Sequence, residues 1–139
     1  MKTIGEWAIQ PFESVGPLRF GMERSEVHRV MEEPPREFKK GFSENMTEAY
    51  DQAGVHVYYD SSGAVELIEA FPPANLVYEG TDLMRSDTHA VLADLARLGL
   101  QPRDDGQGGL WFDDRGFALY APGGRTEGVS AFRRDYQHS

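Results

Sequence analysis

No cysteine occurs among the 139 residues of the chain, which excludes disulfide bonds, thiolate metal sites and catalysis by a thiol. Nor does the chain contain the run of about 18 apolar residues that would predict a membrane-spanning helix. Residues 1–7 lack the apolar segment of a signal peptide. From these absences we expect a soluble cytoplasmic protein that does not bind membranes.

Basic residues are scarce. Lys and Arg together number 14 against 23 for Asp and Glu, so the formal charge is -9. Such a charge repels the phosphates of nucleic acids, and we expect no nucleic-acid partner. An acidic surface favours solubility, and it also complements a basic protein partner. The charge alone does not choose between these two interpretations.

The composition is that of an ordinary globular protein. Hydrophobic residues make up 40% of the chain and charged residues 27%, which is too apolar for a disordered protein. A chain of this length buries roughly two thirds of its surface on folding. We therefore predict a single domain over residues 1–139.

A short pattern of residues occurs twice, and its two parts keep the same order. Residues 24–31 (RSEVHRVM) match residues 85–92 (RSDTHAVL), and residues 58–63 (YYDSSG) match residues 111–116 (WFDDRG). Internal self-similarity of this kind is typical of a duplicated structural unit. We interpret the pattern as two internal repeats.

Each repeat has a helix followed by a hairpin. Apolar residues recur at helical spacing before Pro34 and again before Gly99, and they predict helices of about ten to fourteen residues. β-prone residues flank turns that end at Gly63 and Gly116, which predicts two hairpins. The predicted fold is α+β: two helix-plus-β-hairpin repeats, at approximately 15–71 and 76–133, form one curved antiparallel sheet with both helices on one side.

The segments outside the predicted helices and hairpins also have residues that predict their structure. Strands are predicted at 6–9 and 128–132, and the two prolines in residues 71–75 predict a linker between the halves. The polar residues 36–47 are either a loop or a strand pair around Phe38 and Phe42.

The segment that opens the first repeat is similar to a segment found in known protein families. Residues 16–22 (GPLRFGM), followed by a short helix that ends near a proline and then by strands, resemble the opening of the small outer-membrane-assembly lipoproteins. They also resemble β-lactamase inhibitor protein, which is similar to two such units in tandem. The resemblance implies an α+β repeat whose free sheet face binds protein. The chain lacks the lipoprotein cysteine, the signal peptide and the inhibitor's disulfides, so export and a β-lactamase target have no support.

Catalytic and nucleotide-binding motifs are absent from the sequence, which favours a protein that is not an enzyme and needs no cofactor. His28 and His89 occupy matching positions of the two predicted helices, and a metal site would require them to approach each other. Since no paired-histidine motif accompanies them, we interpret them as histidines of the helix surface and predict no metal.

Acidic pairs and serines have structural interpretations. Asp104 with Asp105, and Asp113 with Asp114, lie in glycine-flanked segments, where an Asp side chain bonds the nearby backbone. We favour that role over acid–base catalysis. The serines at positions 25 and 86 are interpreted as residues of first helical turns, where hydroxyls cap the backbone.

The alternation of the hairpin strands assigns residues to two faces. Val55, Val57 and Tyr59 point one way, towards the core, and His56 and Tyr58 point the other way. By the repeat, Phe112 joins Tyr59 inside and Trp111 joins Tyr58 outside; Glu66 and Ile68 are also expected outside. Either this outer face is exposed, or the segment around Trp7 and Phe12, or residues 36–47, cover it.

These observations together predict a protein that acts by binding another protein. Tyr and Trp are frequent in the energetic centres of interfaces, and carboxylates steer basic partners. We expect a stoichiometric inhibitor, in particular a bacterial immunity protein that neutralises a cognate toxin or enzyme. The expected partner-binding residues are His56, Tyr58, Asp60, Glu66 and Trp111. Three alternatives stay open: a small-ligand or metal-binding domain, an enzyme whose acidic residues come from the turns, and a structural module of a larger assembly.

Overall fold

A computed structural model describes residues 6–38, 47–134 and 136 of the chain. The α+β class predicted from the sequence is confirmed, with two helices and thirteen strands in these ranges. In chain order the elements are β1 (Trp7–Gln10), β2 (Ser14–Val15), β3 (Leu18–Arg19), α1 (Arg24–Met31), β4 (Arg36–Phe38), β5 (Thr47–Tyr50), β6 (Val55–Tyr59), β7 (Val65–Ala70), β8 (Leu76–Tyr78), β9 (Thr81–Asp82), α2 (Thr88–Arg97), β10 (Arg103–Asp104), β11 (Gly109–Phe112), β12 (Phe117–Tyr120) and β13 (Gly128–Phe132).

The strands belong to two sheets. Eight of them form an antiparallel sheet in the order β10-β11-β12-β13-β7-β6-β5-β4, and five form a smaller sheet in the order β3-β2-β1-β8-β9. Both predicted hairpins, β6 with β7 and β11 with β12, belong to the larger antiparallel sheet, whereas the strand predicted at 6–9 belongs to a second sheet that the prediction lacks. The cause is the segment after the linker, which returns to the N-terminal strand: β8 pairs with β1 in parallel, with Trp7 opposite Leu76.

Both helices end where the sequence indicates; α1 is shorter than the predicted ten to fourteen residues, and α2 lies at the lower end of that range. Helix α1 has 8 residues because Glu32 adopts a left-handed conformation with φ of 59° just before the prolines. Helix α2 has 10 residues and begins one turn later than the repeat suggests, since the Asp87 side chain accepts from the Ala90 amide and caps it. Ser86 consequently lies outside the helix, which corrects its interpretation as a residue of the first turn.

The core lies between the helices and one face of the larger sheet, here called the inner face. Val55, Val57 and Tyr59 of β6 are buried on it, as the strand alternation predicts, and so is Phe112. These four residues belong to one apolar cluster with residues of both helices, which are Val27 and Met31 of α1 and Val91 and Leu95 of α2. Burial of apolar surface at this contact is the main stabilising contribution.

A carboxylate lies within this core. The side chain of Glu48 on β5 is fully buried beneath α1. Arg24 donates to its Oε2 at 2.7 Å, and the Nε2 of His28 lies 2.6 Å from the same oxygen. The hydroxyls of Tyr50 and Tyr59 donate to its Oε1 at 3.0 and 2.7 Å. Since an ionised carboxylate only accepts, four donors satisfy both oxygens.

The hydrogen bonds decide the ionisation of Glu48. Burial by itself would raise the pKa of its carboxyl group, but the bonds from Tyr59, His28, Arg24 and Tyr50 outweigh burial, and the pKa is below its ordinary value. Burial together with the Glu48 charge raises the pKa of both tyrosines. Glu48 is therefore an anion that holds α1 against the sheet.

Replacement of the carboxylate tests this attachment. Glu48→Gln puts an NH₂ group where all four neighbours donate, so at least one buried donor loses its acceptor. We expect the free energy of unfolding to fall by about 3 kcal/mol in equilibrium urea denaturation.

Glu37→Gln is the matched control. Glu37 lies on the adjacent strand, is 3.8 Å from the same Arg24 and has a side chain that is 52% exposed. Exposed ion pairs of this kind stabilise by less than about 1 kcal/mol. Equal losses in the two variants would contradict the anchoring role of Glu48.

The pH dependence of stability follows from the lowered pKa. A carboxyl group whose pKa is lower in the folded protein stabilises the fold above its ordinary pKa of 4.5, and this contribution is lost as the pH falls below that value. We expect the wild type to lose more stability than Glu48→Gln between neutral and acidic pH, measured as melting temperature. Parallel pH profiles of the two proteins would contradict this expectation.

Candidate functional site

The outer face of the larger sheet lies on the side opposite to the helices. The pairing of β6, β7, β11, β12 and β13 places these nine residues on it: His56, Tyr58, Leu67, Glu69, Trp111, Ala118, Tyr120, Ser130 and Phe132. Both aromatic residues expected outside, Tyr58 and Trp111, are among them. Arg36 and Arg103 lie on the same face on the edge strands β4 and β10, so the outer face combines aromatic, acidic and small side chains with one arginine near each edge.

One residue expected on this face lies on the other. Ile68 pairs with Val57 and is fully buried on the inner face, so its predicted outward position is wrong. The pairing of β6 with β7 shifts by one residue, because Tyr58 is opposite Leu67 while Tyr59 is opposite Val65. This β-bulge at Glu66 inverts the alternation, so that Leu67 and Glu69 face outward.

A small aromatic cluster closes part of the outer face. Phe132 at its centre is only 3% exposed. Its ring centroid lies 5.8 Å from Trp111, 5.7 Å from Tyr136 and 6.5 Å from Phe12. These separations are those of stabilising aromatic pairs. Tyr136, which follows β13 in the chain, therefore packs over the outer face.

A groove of about 280 Å³ lies beside this cluster. Its wall includes three aromatic rings, those of Trp111, Tyr120 and Tyr136, and two carboxylates, those of Glu69 and Asp105. Tyr120 is 49% exposed, although it is a large aromatic residue. Among the described residues that line the groove none is Lys or Arg. The groove is accordingly aromatic with negative charge.

Asp105 is held in the groove by its own loop and by Trp111. Its Oδ2 accepts the indole N–H at 3.0 Å, and its Oδ1 accepts the amides of Gln107 and Gly109 at 2.7 and 3.0 Å. The Trp111 bond and these two backbone bonds lower the pKa of Asp105. The carboxylate is therefore charged at neutral pH, and it fixes the orientation of the indole ring.

Glu69 supplies the second negative charge. It accepts a short hydrogen bond from the Tyr58 hydroxyl. Burial and Glu69 raise the pKa of Tyr58, and burial, Glu66 and Glu69 raise that of Tyr136. The hydroxyls of both tyrosines therefore remain protonated at neutral pH.

Tyr58 and Trp111 share the outer face but are not neighbours. Tyr58 is on β6 and Trp111 on β11, with β7, β13 and β12 between them. Four steps of about 4.8 Å separate these strands by roughly 19 Å along the sheet. The two residues mark the two ends of an extended surface instead of one pocket.

The other expected partner-binding residues have contacts within the chain. His56 packs between Phe38 and Phe71, with ring centroids at 5.3 and 4.9 Å. Asp60 caps its turn by accepting the amides of Ser62 and Ala64 and also accepts from Arg133 at 2.7 Å. Glu66 is 3.6 Å from the same guanidinium.

Both segments considered as covers contact the outer face. Phe12 packs on Phe132, whereas Trp7 packs against the core of the inner face. Arg36–Phe38 form β4, which pairs with β5, and Phe38 packs on His56 with ring centroids 5.3 Å apart. Phe42 lies outside the described residues.

The residues considered for metal binding or acid–base chemistry have structural roles. His28 contacts Glu48, whereas His89 is exposed. Within the described part of the chain no group of three or more His, Asp or Glu side chains could hold a metal ion. Asp104 accepts the Gly106 amide, and Asp113 forms a bidentate pair with Arg103. These contacts agree with the structural interpretation of the acidic pairs.

Comparisons of the chain with protein-family models, with curated proteins and with solved structures find no match. Among the described residues no helix is long and apolar enough to cross a membrane.

Sequence reasoning missed five residues of this site: Glu69, Asp105 as a groove residue, Tyr120, Phe132 and Tyr136. The alternation of the predicted strand 128–132 contains a signal for Phe132, since Ser130 and Phe132 must share a face. Nothing local indicates Glu69, whose direction depends on the bulge. Tyr136 follows the last strand, and only the fold-back of the chain brings it to the groove.

Two aromatic substitutions separate structural from exposed residues of the outer face. Phe132→Ala removes the centre of a closed aromatic cluster, and we expect a loss of about 3 kcal/mol in the free energy of unfolding. Tyr120→Ala removes a half-exposed ring, and we expect a change below about 0.5 kcal/mol. Equilibrium urea denaturation measures both. A negligible effect of Phe132→Ala would show that the outer face is not closed there.

Proposed function

We propose that this chain is a stoichiometric protein-binding inhibitor, in particular a cytoplasmic bacterial immunity protein that neutralises a cognate toxin or enzyme. The observation that carries the proposal is the groove of the outer face, where three aromatic rings and two carboxylates meet. Aromatic residues at the centre of a surface are the usual energetic anchors of protein interfaces. The partner's chemistry follows from the charge.

The partner is a basic protein. The chain has an excess of nine acidic residues, and the groove adds Glu69 and Asp105 without a lining Lys or Arg among the described residues. Complementary charge accelerates association and excludes acidic competitors. An inhibitor that must capture a toxin soon after synthesis benefits from both effects.

The expected partner-binding residues have different parts in this proposal. Tyr58 and Trp111, roughly 19 Å apart along the sheet, supply apolar contacts at two ends of the surface. His56, Asp60 and Glu66 lie at the Tyr58 end, where Asp60 and Glu66 also position Arg133.

We also propose that the two halves are copies of one unit, as in the tandem fold that the opening segment resembles. The support is the order of the larger sheet: in chain order, β4 to β7 and β10 to β13 each run from an edge of the sheet inward to the central pair of β7 and β13. Arg36 pairs with Asp51 through two bonds of 3.0 and 3.1 Å, and Arg103 pairs with Asp113 through two bonds of 2.8 and 3.1 Å.

The strand order of the sheet and the repeated sequence pattern align the hairpins of the two halves differently. The strand order makes β5 and β6 equivalent to β11 and β12, so that Asp51 and Gly54 correspond to Asp113 and Gly116. Tyr58 then corresponds to Tyr120, and the partner of Trp111 is Ala49. In this alignment each half carries one tyrosine on the outer face at the matching position, Tyr58 and Tyr120.

Rescue of growth tests the function. The chain is co-expressed with the protein encoded beside its gene, and protection from that protein is scored. We expect wild type to protect and the double variant Tyr58→Ala with Trp111→Ala to fail, since interface aromatics contribute about 2 kcal/mol or more each. The affinity of the purified pair should fall at least about 100-fold in isothermal titration calorimetry.

Leu98→Ala is the control for a general loss of apolar surface. Leu98 is a large hydrophobic residue that is 43% exposed at the end of α2, away from the sheet. This variant should protect as well as wild type. Absence of toxicity in the neighbouring protein, or protection by the double variant, would refute the proposed function.

A further inference from the structure

We infer that Tyr120 is the residue that inserts into the partner, and that the partner receives its ring in an apolar cleft with cationic groups on the rim. This inference rests on the proposed function and names the contact that carries most of its binding energy. Tyr120 is the last residue of β12, lies on the outer face and is 49% exposed. The described part of the chain exposes one other large hydrophobic residue to a similar extent, Leu98 at the end of α2.

The other aromatic residues of the groove are engaged within the chain. Trp111 donates its indole N–H to a carboxylate, and its ring lies against Phe132 and the guanidinium of Arg103. Tyr136 packs on Phe132. In contrast, the side chain of Tyr120 has no hydrogen bond, ion pair or ring contact with the described part of the chain. Its ring and its hydroxyl are therefore left for a partner.

The neighbouring strands leave the ring of Tyr120 without a cross-strand side chain. Tyr120 pairs with Gly109 on β11 and with Gly128 on β13. A Cβ on Gly109 would lie 2.3 Å from a carboxylate oxygen of Asp105. A Cβ on Gly128 would lie 3.2 Å from the ring of Phe71. Cross-strand pairs are the usual way in which a sheet packs its aromatic rings, and both positions that could supply one are crowded.

Tyrosine has the properties of an interface anchor. It combines an apolar ring with a hydroxyl, and its few side-chain torsions make it cheap in conformational entropy to hold in an interface. Because β12 is paired on both sides, the backbone of Tyr120 is fixed before the partner binds, which favours affinity. The matching surface of the partner is an apolar cleft of the width of one ring, with an acceptor for the hydroxyl.

Two carboxylates near Tyr120 define the charge on the rim of that cleft. Glu127 is on the neighbouring segment, since its amide donates to the Tyr120 carbonyl at 2.8 Å. Asp104 is on β10, two strands away on the other side and roughly 10 Å from β12. Both are exposed. No cation of the described residues, Arg125 of the same loop as Glu127 included, forms an ion pair with either of them, so Lys or Arg on the partner's rim finds unpaired acids.

The same charges argue against a second copy of this chain as the occupant. Two such surfaces would bring Asp104 and Glu127 of one copy close to the same acids of the other, and like charges at an interface repel. The net charge of -9 adds to this repulsion. A basic protein with an apolar cleft satisfies both the ring and the acids.

Substitution of Tyr120 tests the anchor. The probe is the purified protein encoded beside the gene of this chain, and it is titrated into the full chain by isothermal titration calorimetry. Tyr120→Ala should weaken binding at least about 100-fold, as residues at the energetic centre of an interface do. Tyr120→Phe keeps the ring and loses one hydrogen bond, so it should weaken binding by no more than about tenfold.

Leu98→Ala is the matched control, because Leu98 is 43% exposed and lies on a helix instead of the sheet. It should bind the probe as wild type does. Melting temperatures of the three variants check that each is folded, and a half-exposed ring such as that of Tyr120 contributes little to stability. A loss of binding in Tyr120→Ala is then a loss of contact with the probe.

Neutral variants test the charge of the rim. Asp104→Asn combined with Glu127→Gln should lower the association rate constant about tenfold at low salt, measured by stopped-flow fluorescence, and the effect should shrink as salt is added. Asp114→Asn combined with Glu79→Gln removes the same charge from exposed acids in other turns, those between β11 and β12 and between β8 and β9. This control should stay within about twofold of wild type.

The outcomes for the anchor are distinct from those for the rim. Wild-type affinity in Tyr120→Ala, an equal loss in Tyr120→Phe or in Leu98→Ala, or a dimer of the chain alone that Tyr120→Ala dissociates in sedimentation velocity would overturn the anchor. Equal slowing by the two charge variants would overturn the cationic rim.

The outcomes also separate this inference from the proposed function. If Tyr120→Ala keeps its affinity while the double variant of Tyr58 and Trp111 loses it, only this inference fails. If Tyr120→Ala loses affinity but bound wild type leaves the toxicity of the probe unchanged, only the proposed function fails. Absence of binding between wild type and the probe would refute both.

Discussion

Helix α1 stays on the sheet because the Glu48 carboxylate beneath it is fully buried and needs its four donors. Arg24 and His28 come from the helix, one turn apart on one face, and Tyr50 and Tyr59 come from two adjacent strands. A buried charge without partners is far more costly than an apolar side chain. The contact therefore fixes both the position and the rotation of α1, whereas α2 is held by apolar residues such as Val91 and Leu95.

The occupied inner face determines what remains for function. Both helices contribute to the core on that side, so the outer face is closed only in part, by Phe132 and the rings around it. The groove next to this cluster keeps two charged carboxylates beside exposed aromatic surface. Structure and charge at this place are coupled, because the hydrogen bond from Trp111 both orients the ring and helps to keep Asp105 ionised.

Local patterns predicted the elements but not all of their partners. Residues close in sequence were enough to predict where each helix ends, near Pro34 and near Gly99. They also predicted the turns at Gly63 and Gly116 and the last strand. The outward side of Tyr58 and Trp111 follows from alternation. The same rule failed for Ile68, since a bulge at Glu66 shifts the register by one residue, and no residue near it announces the shift. The parallel pairing of β1 with β8 was missed because it joins residues nearly seventy positions apart.

The sequence by itself determined the α+β class, the two helices, the hairpins, the acidic charge and the absence of thiol chemistry, because these depend on composition and on residues a few positions apart. Only the tertiary structure decided that Glu48 is a buried anchor, that Trp111 and Tyr136 both pack on Phe132, and that Asp105 and Glu69 share one groove. Each of these facts requires contacts between residues distant in the chain, such as the 24 positions between Arg24 and Glu48. Burial and charge act through space, and the folded chain alone sets those distances.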